Sequence, residues 1–162
     1  MTDNDNNEKF YTARGYEIST SENTLTPSME DYIEMIYRLN QKNGYTRVND
    51  LANRLNVQPP SVTNMMKKLH DNSLLKYEKY GVIHLTEKGK KIGKFLLDRH
   101  NVLKDFLTML GLKKHIQKEV EQIEHHISWD TFLTINAFVN FLKENDQIIE
   151  QFNEYKNNKI KE

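Results

Sequence analysis

Three observations predict a mainly α chain in which a winged helix-turn-helix DNA-binding domain is followed by an all-helical dimerisation domain. Two short amphipathic segments are joined by a tight turn, two β-rich runs hinged at Gly81 follow them at once, and the remainder is apolar at helical spacing. A hairpin placed directly after a helix-turn-helix is a wing. The elements follow in order. Thr26-Pro27-Ser28 puts a capping hydroxyl and a proline at the start of a first helix, which Glu30 and Asp31 favour through the helix dipole. Met29, Ile33, Ile36 and Tyr37 or Leu39 recur along it until Asn43-Gly44 ends it. A second short helix opens at Asn49 and buries Leu51, Ala52 and Leu55. Past the turn Asn56-Val57-Gln58, Pro59 and Pro60 open a third helix with Val62, Met65, Met66 and Leu69 on its inner face. The wing is expected from Leu75 to Tyr80 and from Val82 to Leu85.

Thr86 caps a long fourth helix over residues 86–110, with Ile92, Leu96, Leu103, Phe106 and Leu110 inward and Gly111 as its stop. A fifth helix is expected from about Lys113 to Ile127, a sixth behind the cap Ser128, and a weaker last one from about Asp146. Residues 1–25 are polar and lack apolar periodicity, which predicts a disordered arm. The expected domains are therefore the arm 1–25, the winged helix-turn-helix 26–98 and a helical metal-binding and dimerisation domain 99–158, joined through the long helix. The last helices carry Trp129, Phe132, Phe138, Phe152 and Tyr155 in a segment too small for a large core of its own, which suits a dimerisation surface.

Composition narrows the chemistry. The 162 residues contain no cysteine, which excludes disulfides, thiolate metal sites and a cysteine nucleophile. The 23 Lys+Arg balance 23 Asp+Glu, yet the zero is a sum of unlike parts. Residues 1–34 hold eight acids against two bases, residues 46–100 eleven bases against five acids, and residues 101–162 ten acids against eight bases. A basic middle coinciding with the helix-turn-helix and wing is the electrostatic footprint of a DNA reader. On the third helix Pro60, Ser61, Thr63, Asn64, Lys67 and Lys68 lie off the apolar stripe, and with Lys79 of the wing they are the expected DNA contacts. No run approaches the roughly 18 apolar residues of a membrane span, and no targeting segment is visible, so a cytoplasmic protein without membrane attachment is expected.

Carboxylates and imidazoles recur at helical spacing. Glu121, Glu124 and His125 stand at i, i+3 and i+4 of the fifth helix, Asp31 and Glu34 are i, i+3 neighbours on the first, and His100 lies on or beside the buried stripe of the fourth. Each alone has an ordinary explanation: a solvated helix face, first-turn acids, a core histidine. Their conjunction on helices of one compact core points to a divalent cation. No phosphate loop, nucleophile elbow or acid–base pair in a cleft is apparent, so no catalytic residues are assigned and an enzyme is not expected. From the residues alone, a winged-helix regulator answering to an organic ligand or to another divalent metal such as Fe²⁺ or Zn²⁺ stays open.

Thr26-Pro-Ser-Met-Glu-Asp-Tyr-Ile-Glu34, Ser61-Val-Thr63, Tyr77-Glu-Lys-Tyr80, Leu85-Thr-Glu-Lys-Gly-Lys-Lys-Ile-Gly93, Arg99-His100 and Ile123-Glu-His-His-Ile-Ser-Trp129 resemble the manganese-sensing branch of the diphtheria-toxin-repressor family over about residues 26–145. The resemblance implies a homodimeric repressor of manganese uptake genes that binds double-stranded operator DNA when loaded with Mn²⁺, two ions per subunit. It implies Asp31, Glu34, His100, Glu121, Glu124 and His125 as ligands, with Glu34 and Glu124 placed to bridge. Oxygen and nitrogen donors suit hard Mn²⁺, although such a set binds other divalent metals in vitro and Zn²⁺ more tightly by the Irving–Williams order.

Overall fold

The computed structural model describes residues 25–78 and 81–160. The arm expected over 1–25, Leu25 apart, lies outside the described residues, as do Lys79 and Tyr80. The chain divides into two compact units between Leu97 and Asp98.

In the first unit, helix α1 spans Pro27–Asn43, with Thr26 Oγ1 accepting from the Met29 amide at 3.3 Å and Pro27 in the first turn. It ends where Gly44 takes φ 76° and returns its N–H to Asn40 O. Its inner face is Met29, Tyr32, Ile33 and Ile36, all buried. Helix α2 (Val48–Leu55) buries Leu51 and Ala52 and stops at Asn56, which is left-handed at φ 53°. Helix α3 (Pro59–Asp71) buries Val62, Met66 and Leu69. The helix-turn-helix is thus α2, the turn Asn56–Gln58 and α3.

The wing forms a three-stranded antiparallel sheet in the order β1 (Thr46–Arg47), β3 (Val82–Leu85), β2 (Leu75–Tyr77). Strands β2 (Leu75–Tyr77) and β3 (Val82–Leu85) pair Leu75 with Leu85 and Tyr77 with Ile83. Strand β1 (Thr46–Arg47) has no counterpart in the sequence expectation, because two residues carry no alternation to read. It exists because the free edge of β3 pairs with it, Thr46 opposite Ile83. The buried Thr46 hydroxyl donates to Asn40 Oδ1 at 2.6 Å, which ties the strand to α1. The first wing strand ends at Tyr77, short of the expected Tyr80.

Helix α4 spans Glu87–Met109, and the division between units falls within it. Thr86 Oγ1 accepts from the Gly89 amide at 3.1 Å and donates to Ser73 O at 2.8 Å, so one hydroxyl caps α4 and ties it to the turn that leads into β2. Two glycines one helical turn apart let the first half of α4 approach its neighbours. A Cβ on Gly89 would lie 2.0 Å from Leu74 O, and one on Gly93 would lie 2.6 Å from Tyr37 Cβ.

In the second unit, helix α5 spans only Ile116–Ile123, shorter than the 113–127 expected. It starts behind His115, which is left-handed at φ 58°, and the chain turns immediately after Ile123. Helix α6 (Trp129–Lys143) is capped by Ser128, whose Oγ accepts from the Thr131 amide at 3.2 Å, and helix α7 spans Asp146–Lys159. Leu103, Val120, Phe132, Val139 and Leu142 make the small core. Lys156 of α7 donates to Leu110 O at 2.9 Å and to Gly111 O at 3.1 Å, a cation placed at the negative end of α4. Phe138, Phe141, Phe152 and Tyr155 stay exposed on α6 and α7. Among the described residues no helix is long and apolar enough to cross a membrane.

Candidate metal centre and nucleic-acid interface

In the first unit, Asp31 and Glu34 occupy neighbouring turns of α1, Asp31 exposed and Glu34 buried. Burying a carboxylate needs a compensating partner. Arg38, one turn further along, supplies one: its Nε donates to Glu34 Oε1 at 2.9 Å and its Nη2 donates to the same oxygen. An acid four residues ahead of a base is the favoured helical order.

The second unit carries the densest cluster. His100 on α4 is 3% exposed and Glu124 is 2% exposed. His100 Nδ1 and Glu124 Oε2 lie 2.9 Å apart, and Glu124 Oε1 lies 3.9 Å from His125 Nε2. The spacing of Glu121, Glu124 and His125 had suggested one continuous helix face. Instead α5 ends at Ile123, and Glu124 to His126 form a turn held by Glu124 N–H to Val120 O at 2.9 Å and His126 N–H to Ile123 O at 3.0 Å. The turn buries Glu124 and leaves His126 and Glu121 exposed. Glu121 accepts from Gln117 Nε2 at 2.9 Å, while Gln117 Oε1 sits 3.2 Å from His100 Nε2. Arg99, 6% exposed, brings its Nη2 to 3.5 Å from His125 Nδ1.

The donors that converge here are carboxylate oxygens and imidazole nitrogens, in a chain without cysteine. That set fits a hard or borderline divalent cation. Sequence reading missed Gln117. Its position four residues before Glu121, on the same helical face, was the available signal, but a glutamine on an exposed face has no chemistry to announce it. The other histidines have separate surroundings: His70 Nδ1 lies 3.1 Å from Leu75 O, joining α3 to β2, and His84 in β3 lies 4.0 Å from Glu78.

On α3, Pro60, Ser61, Asn64, Lys67 and Lys68 are exposed, opposite the buried Val62, Met66 and Leu69. Thr63 is half-buried, and its hydroxyl donates back to Pro59 O at 3.2 Å. Lys76 of the wing is exposed, whereas Lys90 on α4 is paired with Glu87 at 2.7 Å, which reduces the charge it offers to a phosphate. The helix therefore presents hydroxyl, amide and ammonium groups on one accessible face, the repertoire that reads base edges and phosphates in a major groove.

Residues 24–83 match the family described as iron dependent repressor, N-terminal DNA binding domain, and residues 86–153 match the family's metal binding and dimerisation domain. The chain is 49% identical over 130 residues to the HTH-type transcriptional regulator MntR of Shouchella clausii (strain KSM-K16), covering 80% of this chain and 91% of that one. It is 50% identical over 122 residues to the protein of the same name from Bacillus subtilis (strain 168), covering 75% and 86%. Among solved structures it resembles the manganese regulator SloR, with a TM-score of 0.63 at 29% identity, covering 72% of this chain and 55% of that one. It also resembles ScaR with bound Zn²⁺, with a TM-score of 0.59 at 30% identity, covering 70% and 54%. The chain spans about half the length of these solved structures.

Proposed function

Because the chain belongs to the iron-dependent repressor family of metal-dependent helix-turn-helix regulators, and is a DNA-binding regulator rather than an enzyme, we propose that it is a homodimeric repressor of manganese uptake genes activated by Mn²⁺. The observation that carries this reading is the pair His100 and Glu124, nearly excluded from water at 2.9 Å, with His125 beside them and no cysteine anywhere in the chain. The proposed ligands are Asp31 and Glu34 from α1 with His100, Glu121, Glu124 and His125 from the second unit. If two ions bind in each subunit, Glu34 and Glu124 would be the candidates to bridge them.

A bound divalent cation supplies the positive charge that offsets the mutual repulsion of these carboxylates. With Asp31 and Glu34 among the ligands, a bound ion would limit the positions that α3 can take. Two recognition helices in a dimer must sit about 34 Å apart, or a multiple of it, to enter successive major grooves of a palindromic site. Narrowing their range favours DNA without any metal touching it, and operator in turn tightens metal binding. Pro60, Ser61, Thr63 and Asn64 face base edges in this reading, Lys67 and Lys68 face phosphates, and Lys79, outside the described residues, is a further candidate contact. The exposed aromatic face of α6 and α7 supplies the dimer contact, in keeping with the dimerisation domain that matches residues 86–153.

The test is fluorescence anisotropy with DNA from upstream of a metal-transporter gene, comparing EDTA, Mn²⁺, Fe²⁺ and Zn²⁺ at one salt concentration. Binding is expected with Mn²⁺ and not with EDTA; binding that survives chelation and ignores Mn²⁺ would point to an organic effector. Lys67→Ala is expected to weaken binding to specific and random DNA alike. It should also reduce the slope of log K against log salt by about one, the signature of a lost phosphate contact. A change confined to one base position would assign Lys67 to base reading instead.

A further inference from the structure

Gln117 is a neutral side chain that touches two of the proposed ligands, through opposite ends of its amide. Glu121 as a carboxylate only accepts, so the Gln117 NH₂ must face it and the Gln117 carbonyl must face His100. A carbonyl only accepts, so the proton between it and His100 belongs to His100 Nε2. That leaves Nδ1 as the ring atom 2.9 Å from Glu124 Oε2. With a lone pair on Nδ1, the two atoms are both acceptors at hydrogen-bond distance. A cation held between them, a proton or a metal ion, reconciles that approach.

From this chain of hydrogen bonds we infer that Gln117 is a positioning residue for the metal centre, fixing His100 as the Nε2–H tautomer so that Nδ1 is the ligating atom, and holding Glu121 beside it. The inference rests on the metal-sensing reading above and adds the residue that aims its ligands. Histidines that bind metals as a rule donate their second ring N–H to an oxygen acceptor, which sets the tautomer and the ring plane. Here that acceptor comes from α5, while the histidine comes from α4. The same side chain therefore sets the spacing between the two helices that carry ligands in the second unit.

The experiment uses Gln117→Met in the full chain, a substitution of nearly equal length and similar helix propensity at an exposed position. Gln117→Ala serves if the methionine variant does not fold, and His100→Ala is the control. Mn²⁺ affinity is measured by competition with a fluorescent chelator, and Co²⁺ binding by visible absorption. In the Zn²⁺-loaded wild type, ¹H–¹⁵N correlation reads the His100 tautomer. Mn²⁺ affinity of the variant is expected to fall about ten- to a hundredfold, as for other groups that hydrogen-bond to metal ligands. The Co²⁺ absorption should shift, and wild-type His100 should carry its proton on Nε2. A ring protonated at Nδ1 overturns the inference. So does a Gln117→Met protein with wild-type affinity and Co²⁺ spectrum while His100→Ala loses Mn²⁺, and in that case the metal-sensing reading stands. Full Mn²⁺ affinity in both variants removes the two together.

Discussion

Replacing Glu124 by glutamine is expected to abolish metal-dependent operator binding while leaving the metal-free protein as stable as the wild type or more so. The two effects separate because of what surrounds the side chain. Glu124 is 2% exposed and its Oε2 lies 2.9 Å from His100 Nδ1, which carries a lone pair when Nε2–H is held by Gln117. A glutamine of the same shape can turn its NH₂ toward that lone pair and make an ordinary hydrogen bond. A buried carboxylate that faces a lone pair is costly, so exchanging it for a paired amide carries little folding penalty. The metal centre, in contrast, loses the anionic ligand proposed to bridge both ions. The expected fall in Mn²⁺ affinity exceeds about a hundredfold, since groups that merely hydrogen-bond to ligands are already worth about ten- to a hundredfold. Thermal melts with and without Mn²⁺ check both halves. A ligand at a hundred times its Kd stabilises the wild type by about 2.7 kcal/mol, and that rise should vanish in the variant. A variant that keeps its Mn²⁺-dependent rise and its operator binding would remove Glu124 from the site.

Gly89→Ala is expected to destabilise the first unit by roughly 1–3 kcal/mol or more, the usual cost of overpacking a fitted site. Helix propensity alone predicts the opposite sign, because alanine is favoured over glycine inside a helix by about 0.5–1 kcal/mol. Sterics decide the outcome. The new methyl would lie 2.0 Å from the Leu74 carbonyl oxygen, which is backbone and is held by the Thr86 N–H at 3.1 Å. Relieving that contact means moving α4 away from the segment leading into β2. Such a movement disturbs the Thr86 hydroxyl, which caps α4 and bonds Ser73 O. The midpoint of urea unfolding is the measurement. A midpoint equal to or above the wild type would show that α4 can retreat at no cost, and that Gly89 is not what sets the approach.

How much of this was legible beforehand differs by element. Helices α1 to α3 are written locally: Thr26 and Pro27 at one end, Gly44 at the other, and apolar residues at the right period between. The wing hairpin and the cap at Thr86 are equally local. Strand β1 is not, because Thr46 and Arg47 become a strand only by pairing with Ile83 and Val82 across the unit. The end of α5 was misread for a related reason. The run from Ile116 to Ile127 has no glycine or proline to stop it, and the turn at Glu124 to His126 places the buried Glu124 side chain against His100 without any breaker. At the candidate site, the types and spacing of the donors were visible. Gln117 was not, since its meaning depends on two partners reached through space.

The sequence by itself determined the kind of protein this is. The basic helix-turn-helix and wing, the absence of cysteine, and the acids and imidazoles at helical spacing follow from local composition and periodicity. Tertiary structure alone decided which donors leave water and which atoms face each other. His100 and Glu124 stand 24 residues apart and meet at 2.9 Å through the packing of α4 with the end of α5. Periodicity can say that a side chain points inward, but the partner it meets there is set by long-range packing, whose cost in chain entropy is met only by the core as a whole.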